Sequence, residues 1–242
     1  MQSPPKTLFL LEAARSIIEY TQSLFLSLPL QFISPKGDGH PIIVFPGLGS
    51  SDRSTQFLRH FLSALGYTVY TWGNGRNMGP RDGIEKLTSD LSSYTETIYK
   101  FHNSKVSLIG WSLGGIYARE VAKITPDSVR QVITLGTPFK GNSKSTNATF
   151  LYELLSKDKS HLDPNIVKSI AQKPDVPFTS IYSKTDGVVS WQASLEEETD
   201  ISQNIEILGA SHTGLGHNAK VLFVIANILS QPPNNWRLYK DR

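Results

Sequence analysis

The chain is predicted to fold as an α/β domain, a mostly parallel sheet of about six strands with helices on both faces. Three observations predict it. From Ile42 onward, short apolar and β-branched segments alternate with longer segments of helical periodicity, the order that builds a parallel sheet. With 242 residues the chain is long enough to bury one full core. Its composition, 39% hydrophobic and 19% charged, is that of an ordinary globular protein.

The first element is a helix over residues 7–28. Leu10, Leu11, Ala14, Ile17, Ile18, Leu24, Phe25 and Leu28 fall on one side, while Glu12, Arg15, Glu19 and Gln22 fall on the other. The apolar stripe is expected to pack against the body of the protein. Weak contact with a membrane surface, or dimerisation, is the alternative use of such a face, and the few Lys or Arg residues opposite it favour anionic lipid little. Pro29, Pro35, Gly37, Asp38 and Gly39 then form a turn-rich connector.

The expected strands are Ile42–Phe45, Thr68–Trp72, Val106–Ile109, Gln131–Leu135, Phe178–Ser183 and Asn204–Leu208, each short and apolar as strands covered on both faces tend to be. Helices are expected between them at 54–65, 83–102, 113–124 and 218–229. The interval 140–175 breaks the alternation, with two helix-like pieces at 147–156 and 164–172 and no clear strand. It follows the C-terminal end of a strand, where open α/β sheets place their ligand crevice, and is read as a small helical lid within a single domain spanning 1–242. The tail from Gln231 is polar.

Several function classes fall away on composition. The net charge is +3 and the pI about 9.0. The basic residues are nevertheless spread along the chain without an aromatic-interleaved block, so no nucleic-acid partner is expected. Cysteine is absent, which excludes thiol catalysis, disulfides and thiolate metal sites. No run of 18 or more apolar residues offers a membrane span. The N-terminus does not have the pattern of a signal peptide, so a cytoplasmic location is expected.

Chemistry enters at Gly110-Trp111-Ser112-Leu113-Gly114, which joins a strand to a helix almost without a loop. So sharp a turn forces Ser112 into strained backbone geometry. Its hydroxyl then stands above the sheet at the N-terminus of a helix, where developing negative charge is favoured. A bare Gly-x-Ser-x-Gly arises by chance in roughly one chain in ten of this length. The strand–turn–helix setting is what makes it a nucleophile.

On these residues the chain resembles the α/β-hydrolase superfamily, especially its compact lipase- and esterase-like members, from Pro41 to about Leu229. It departs from them before Ile42, where a helix stands in place of the first strands. The resemblance implies the chain order nucleophile, acid, histidine. It points to Asp186, in an Asp-Gly turn after the penultimate strand, as the acid, with Asp163, Asp175 and Asp200 as rivals in poorer positions. It points to His212 as the base, in Ser211-His212-Thr213-Gly214-Leu215 after the last strand, with His217 as the alternative. The backbone N–H of Leu113 is one oxyanion donor. Pro46-Gly47-Leu48-Gly49 resembles the family's His-Gly-x segment and makes Leu48 the other.

His212 would take the Ser112 proton and pass it to the leaving group, with Asp186 fixing the imidazole tautomer. Neither metal nor cofactor is required by this chemistry. The loop 72–81 should overlook the site, so Trp72, Arg76, Trp111 and Trp191 are candidate substrate contacts, Arg76 for an anionic group. Hydrolysis of a carboxylic ester through an acyl-serine is the leading expectation. An acyltransferase with the same triad and a non-catalytic binding protein on the same fold are the alternatives.

Overall fold

A computed structural model describes residues 3–140, 164–233 and 235–240. Six strands form one sheet: β1 (Pro41–Phe45), β2 (Thr68–Thr71), β3 (Val106–Trp111), β4 (Val129–Leu135), β5 (Phe178–Tyr182) and β6 (Ser202–Glu206). Their order is β2-β1-β3-β4-β5-β6, and every pairing is parallel. The segments after β1, β3, β4, β5 and β6 therefore all emerge at one rim, and those segments carry Leu48, Ser112, Gly136, Asp186 and His212.

Among the described residues six α-helices accompany the sheet: α1 (Lys6–Ile33), α2 (Gln56–Ala64), α3 (Ile84–His102), α4 (Leu113–Ile124), α5 (Pro164–Ala171) and α6 (Ala219–Leu229). Alternation along the strands splits the core into two layers. Ile43, Phe45, Val132 and Phe178 face Leu91 of α3 and Ile116 and Tyr117 of α4. Ile42, Val44, Ile133 and Ile181 face Leu58 and Leu62 of α2 and Leu222 and Ile225 of α6. One ion pair lies inside the first layer: Arg119 of α4, fully buried, reaches Glu196 at 2.8 Å and lies over the Phe139 ring at 3.8 Å. It fastens α4 to the segment between β5 and β6.

Of the expected lid, the piece 147–156 lies outside the described residues. The second piece is α5, and it packs on the body. Ile170 is buried, and the Ser169 carbonyl accepts from the Lys123 ammonium of α4 at 2.6 Å.

The N-terminal helix corrects the sequence expectation. Its inward residues are Glu12, Ser16, Glu19, Ser23 and Leu30, four of them polar. Its apolar stripe points outward instead: Leu10 is 77% exposed, Phe25 79% and Phe32 85%. The physical reason is the surface beneath. That surface includes loop backbone whose N–H groups need acceptors, and carboxylates satisfy them where leucines cannot. Among the described residues no helix is long and apolar enough to cross a membrane.

Candidate active site

Ser112 sits between β3 and α4 with φ 53° and ψ −121°. Among the described residues, it and Asn103 are the only non-glycine residues at positive φ. The turn survives because glycines stand two residues to either side of Ser112. A Cβ at Gly110 would stand 2.3 Å from the Gly115 Cα, and one at Gly114 would stand 2.4 Å from the Phe45 carbonyl oxygen. The backbone is pinned on both sides of the strain. Ser112 N–H donates to the Leu135 carbonyl at 2.8 Å, and the Thr137 hydroxyl donates to the Ser112 carbonyl at 3.0 Å. Strain held by surrounding structure in this way is a mark of functional sites.

The acid turn and the histidine loop meet at the same rim. His212 Nδ1 donates to Asp186 Oδ2 at 2.6 Å. Asp186 Oδ1 accepts from the N–H groups of Val188 and Val189 at 2.8 and 2.7 Å, which fixes the carboxylate plane. A Cβ on Gly136 would lie 3.1 Å from both Asp186 Oδ2 and His212 Nδ1, so glycine leaves the pair its room. The histidine loop is tied to the serine turn through Trp111, whose indole N–H donates to the His212 carbonyl at 3.1 Å. Burial pushes the His212 pKa down, yet the charge and hydrogen bond of Asp186, joined by the charge of Glu12, more than offset it and leave the pKa raised.

His217, the rival histidine, is elsewhere. Its Nε2 donates to the Ser16 carbonyl of α1 at 3.1 Å, and its ring packs edge-on to Tyr20. Burial is the main cause that lowers its pKa. The expected rival acids Asp175 and Asp200 are not among the hydrogen-bond partners of His212, and Asp163 lies outside the described residues.

Leu113 opens α4, so its N–H is free of the helix's own ladder. The loop carrying Leu48 runs beside the serine, since a Cβ on Gly47 would lie 3.3 Å from the Ser112 Cβ. Asn77 holds that loop, and sequence reading missed it because a lone asparagine in a glycine-rich loop carries no distinguishing signal. It is fully buried, donates from Nδ2 to the Pro46 carbonyl at 2.8 Å, and receives the Gly49 N–H on its own carbonyl at 2.7 Å.

Arg76 donates to the Gly49 carbonyl at 3.2 Å, so its visible contact is with the loop. Trp72 is a core side chain, 4% exposed, stacked on Tyr117 with its indole N–H on the Gly75 carbonyl. Trp191 stacks on Tyr182 beneath the Lys184 ammonium. Among the described residues no group of His, Asp or Glu is arranged to hold a metal ion.

The family model described as serine aminopeptidase, S33, matches residues 40–196. A triacylglycerol lipase of Pseudarthrobacter phenanthrenivorans is 29% identical over 135 residues, which are 53% of this chain and 41% of that protein. A triacylglycerol lipase of Burkholderia plantarii is also 29% identical, over 53% of this chain and 37% of its own length. The chain thus matches less than half the length of these relatives. Among solved structures, Aspergillus fumigatus lipase B superposes with TM-score 0.60 at 18% identity, covering 85% of this chain and 56% of that one. A monoacylglycerol lipase of Paleococcus ferrophilus gives 0.59 at 16% identity, covering 81% and 96%. At such identities the structures speak for the fold alone.

Proposed function

The chain belongs to the serine aminopeptidase S33 family of α/β hydrolases, and from that premise we propose that it hydrolyses carboxylic esters through an acyl-serine intermediate. The observation that carries the reading is the His212–Asp186 hydrogen bond at the rim where the strained Ser112 turn opens. With Nδ1–H committed to Asp186, the neutral imidazole presents its lone pair at Nε2.

In the first half-reaction Ser112 Oγ attacks the ester carbonyl carbon and its proton passes to His212 Nε2. The tetrahedral oxyanion takes the N–H groups of Leu113 and Leu48, an interaction typically worth about 3 kcal/mol per donor. The intermediate collapses with loss of the alcohol, which receives the proton from His212. Water then enters by the reverse sequence: His212 takes its proton, the acyl–oxygen bond to Ser112 breaks, and Ser112 regains a proton as the acid departs. Asp186 holds the tautomer throughout and stabilises the imidazolium.

A fluorophosphonate tests this directly. It is expected to add its phosphonyl group to Ser112 and no other residue, as read by peptide mass spectrometry, and to abolish turnover of a p-nitrophenyl ester panel. Folded protein that takes up no probe, or takes it on another serine, removes the reading and leaves the non-catalytic binder. Transfer of the acyl group to an added alcohol in preference to water identifies the acyltransferase instead.

The names of the relatives and the outer face of α1 together favour lipid-like esters. That face bears Leu10, Ile17, Phe25 and Phe32, with both acidic residues of the helix turned inward. We assign it to contact with the surface of an aggregated, uncharged ester phase, lying on it without spanning it. Replacing Phe25 and Phe32 together by Glu is expected to weaken co-sedimentation with phosphatidylcholine–triacylglycerol vesicles by roughly a hundredfold, given what two buried rings contribute. Turnover of a soluble butyrate ester should stay as in the parent. Equal vesicle binding by parent and variant refutes the assignment.

A further inference from the structure

Helix α1 turns two carboxylates toward the loops that carry the acid and the base. Glu12 Oε1 accepts the N–H of Gly187 at 2.7 Å and the N–H of His212 at 3.2 Å, and its Oε2 accepts that of Thr213 at 3.4 Å. Gly187 directly follows Asp186. One side chain therefore ties the acid turn to the histidine loop, two segments that β6 separates along the chain.

Seven residues on, Glu19 accepts the N–H of Ser211 at 2.8 Å and the amide of Asn218 at 2.9 Å. Between them Arg15 donates to the carbonyls of Thr185 and Gly209 at 2.8 and 2.9 Å. The approach is close enough to dictate sequence: a Cβ on Gly187 would lie 2.6 Å from the Leu8 carbonyl carbon. Glu12 and Glu19 are 6% and 8% exposed, so both carboxylates carry a desolvation cost that apolar side chains would avoid. An ionised acceptor gives something that packing alone does not: short, directed bonds to the backbone on either side of the triad.

We propose that Glu12 is a positioning residue for the reaction, holding Asp186 and His212 in register through the backbone groups of Gly187 and His212. The proposal rests on the triad reading given above. The charge of Glu12 acts as well. It stands with Asp186 on the side that favours a protonated His212, the state reached when the imidazole takes the serine proton. The charged groups that act on His212 are Asp186 on the acid turn and Glu12 on α1, whereas Arg15 and Glu19 bond the backbone of Gly209 and Ser211 and His217 bonds that of Ser16.

The test is the pH profile of kcat/KM on a soluble ester. Only neutral His212 accepts the serine proton, so the acidic limb follows its titration. Glu12→Gln removes a charge that raises that titration, so the limb is expected to move to lower pH. The plateau in kcat falls on the order of 10- to 100-fold from loosened geometry, with KM little changed. Glu12→Asp keeps the charge on a shorter arm and should leave the limb in place while lowering kcat. Glu19→Gln removes an equally buried carboxylate of the same helix and should lower the melting temperature without moving the limb.

A cooperatively melting Glu12→Gln protein with parental limb and kcat overturns the proposal. So does a loss matched by the unfolded fraction with the limb unmoved, as in a merely structural role. If Glu12→Gln does not fold, parental kcat in Glu12→Asp overturns it equally. Full turnover in Ser112→Ala would remove the triad reading itself, whereas a dead Ser112→Ala beside parental Glu12 variants removes only the role of Glu12.

Discussion

Ser112→Ala is expected to lower kcat/KM for a p-nitrophenyl ester by roughly 10⁵- to 10⁶-fold, leaving only what oxyanion donors and binding supply. The magnitude follows from what one oxygen does. Without Oγ there is no covalent intermediate, His212 has no serine proton to take, and water must attack a carbonyl positioned for a different nucleophile. The fold should survive the change. The Ser112 N–H remains on the Leu135 carbonyl and the Ser112 carbonyl on the Thr137 hydroxyl, and alanine keeps the Cβ that the turn already accommodates. A melting curve matching that of the parent, measured beside the lost turnover, separates chemistry from folding. Turnover within a hundredfold of the parent would show that the nucleophile lies elsewhere.

Local pattern made most of this legible. The strand–turn–helix around Ser112 spans fewer than twenty residues, and Gly110 is demanded by a contact inside it, with Gly115, while Gly114 and Gly115 answer to Phe45 and Thr137 on other segments. The central strands were readable because both of their faces are covered, as in the wholly apolar and buried β1, whereas the polar edge strand β6 starts at Ser202, two residues before the expected Asn204. The observed sheet has the expected six strands, all parallel. Helix α1 shows where such reading stops.

Periodicity separated its polar and apolar faces correctly, yet it says nothing about which face meets the body. That choice belongs to the surface being covered. The N–H groups of Gly187, Ser211 and His212 converge only once the β5–β6 crossover has formed. A Glu-x-x-Arg-x-x-x-Glu pattern looks like a solvated face until those donors are known. Asn77 was hidden for a similar reason, since its role lies in contacts with Pro46 and Gly49, about thirty residues away. Trp72 followed a strand into the expected loop, but its ring turns inward onto Tyr117, a choice made by packing.

Asp186→Asn should lower kcat by about 10⁴-fold at neutral pH, and the cause is a tautomer more than a charge. Asparagine is isosteric and retains one carbonyl oxygen. That oxygen is claimed by the N–H groups of Val188 and Val189, which bond Oδ1 in the parent. The amide nitrogen is then left facing His212 Nδ1, where it can only donate. The imidazole must accept at Nδ1 and carry its hydrogen at Nε2, and in that form it has no lone pair for the serine proton. Loss of the Asp186 charge adds to this: burial, which pulls the His212 pKa down, is no longer outweighed, so the acidic limb moves to lower pH.

Glu12→Gln shares the second effect without the first, because Glu12 touches only the backbone of His212 and leaves Nδ1 on Asp186. The two variants should therefore shift the limb in the same direction while differing in plateau by about a hundredfold or more. Fluorophosphonate labelling rates across pH measure both quantities on the folded proteins. Equal plateaus in the two variants would mean that Asp186 acts through charge alone and that the tautomer argument is wrong.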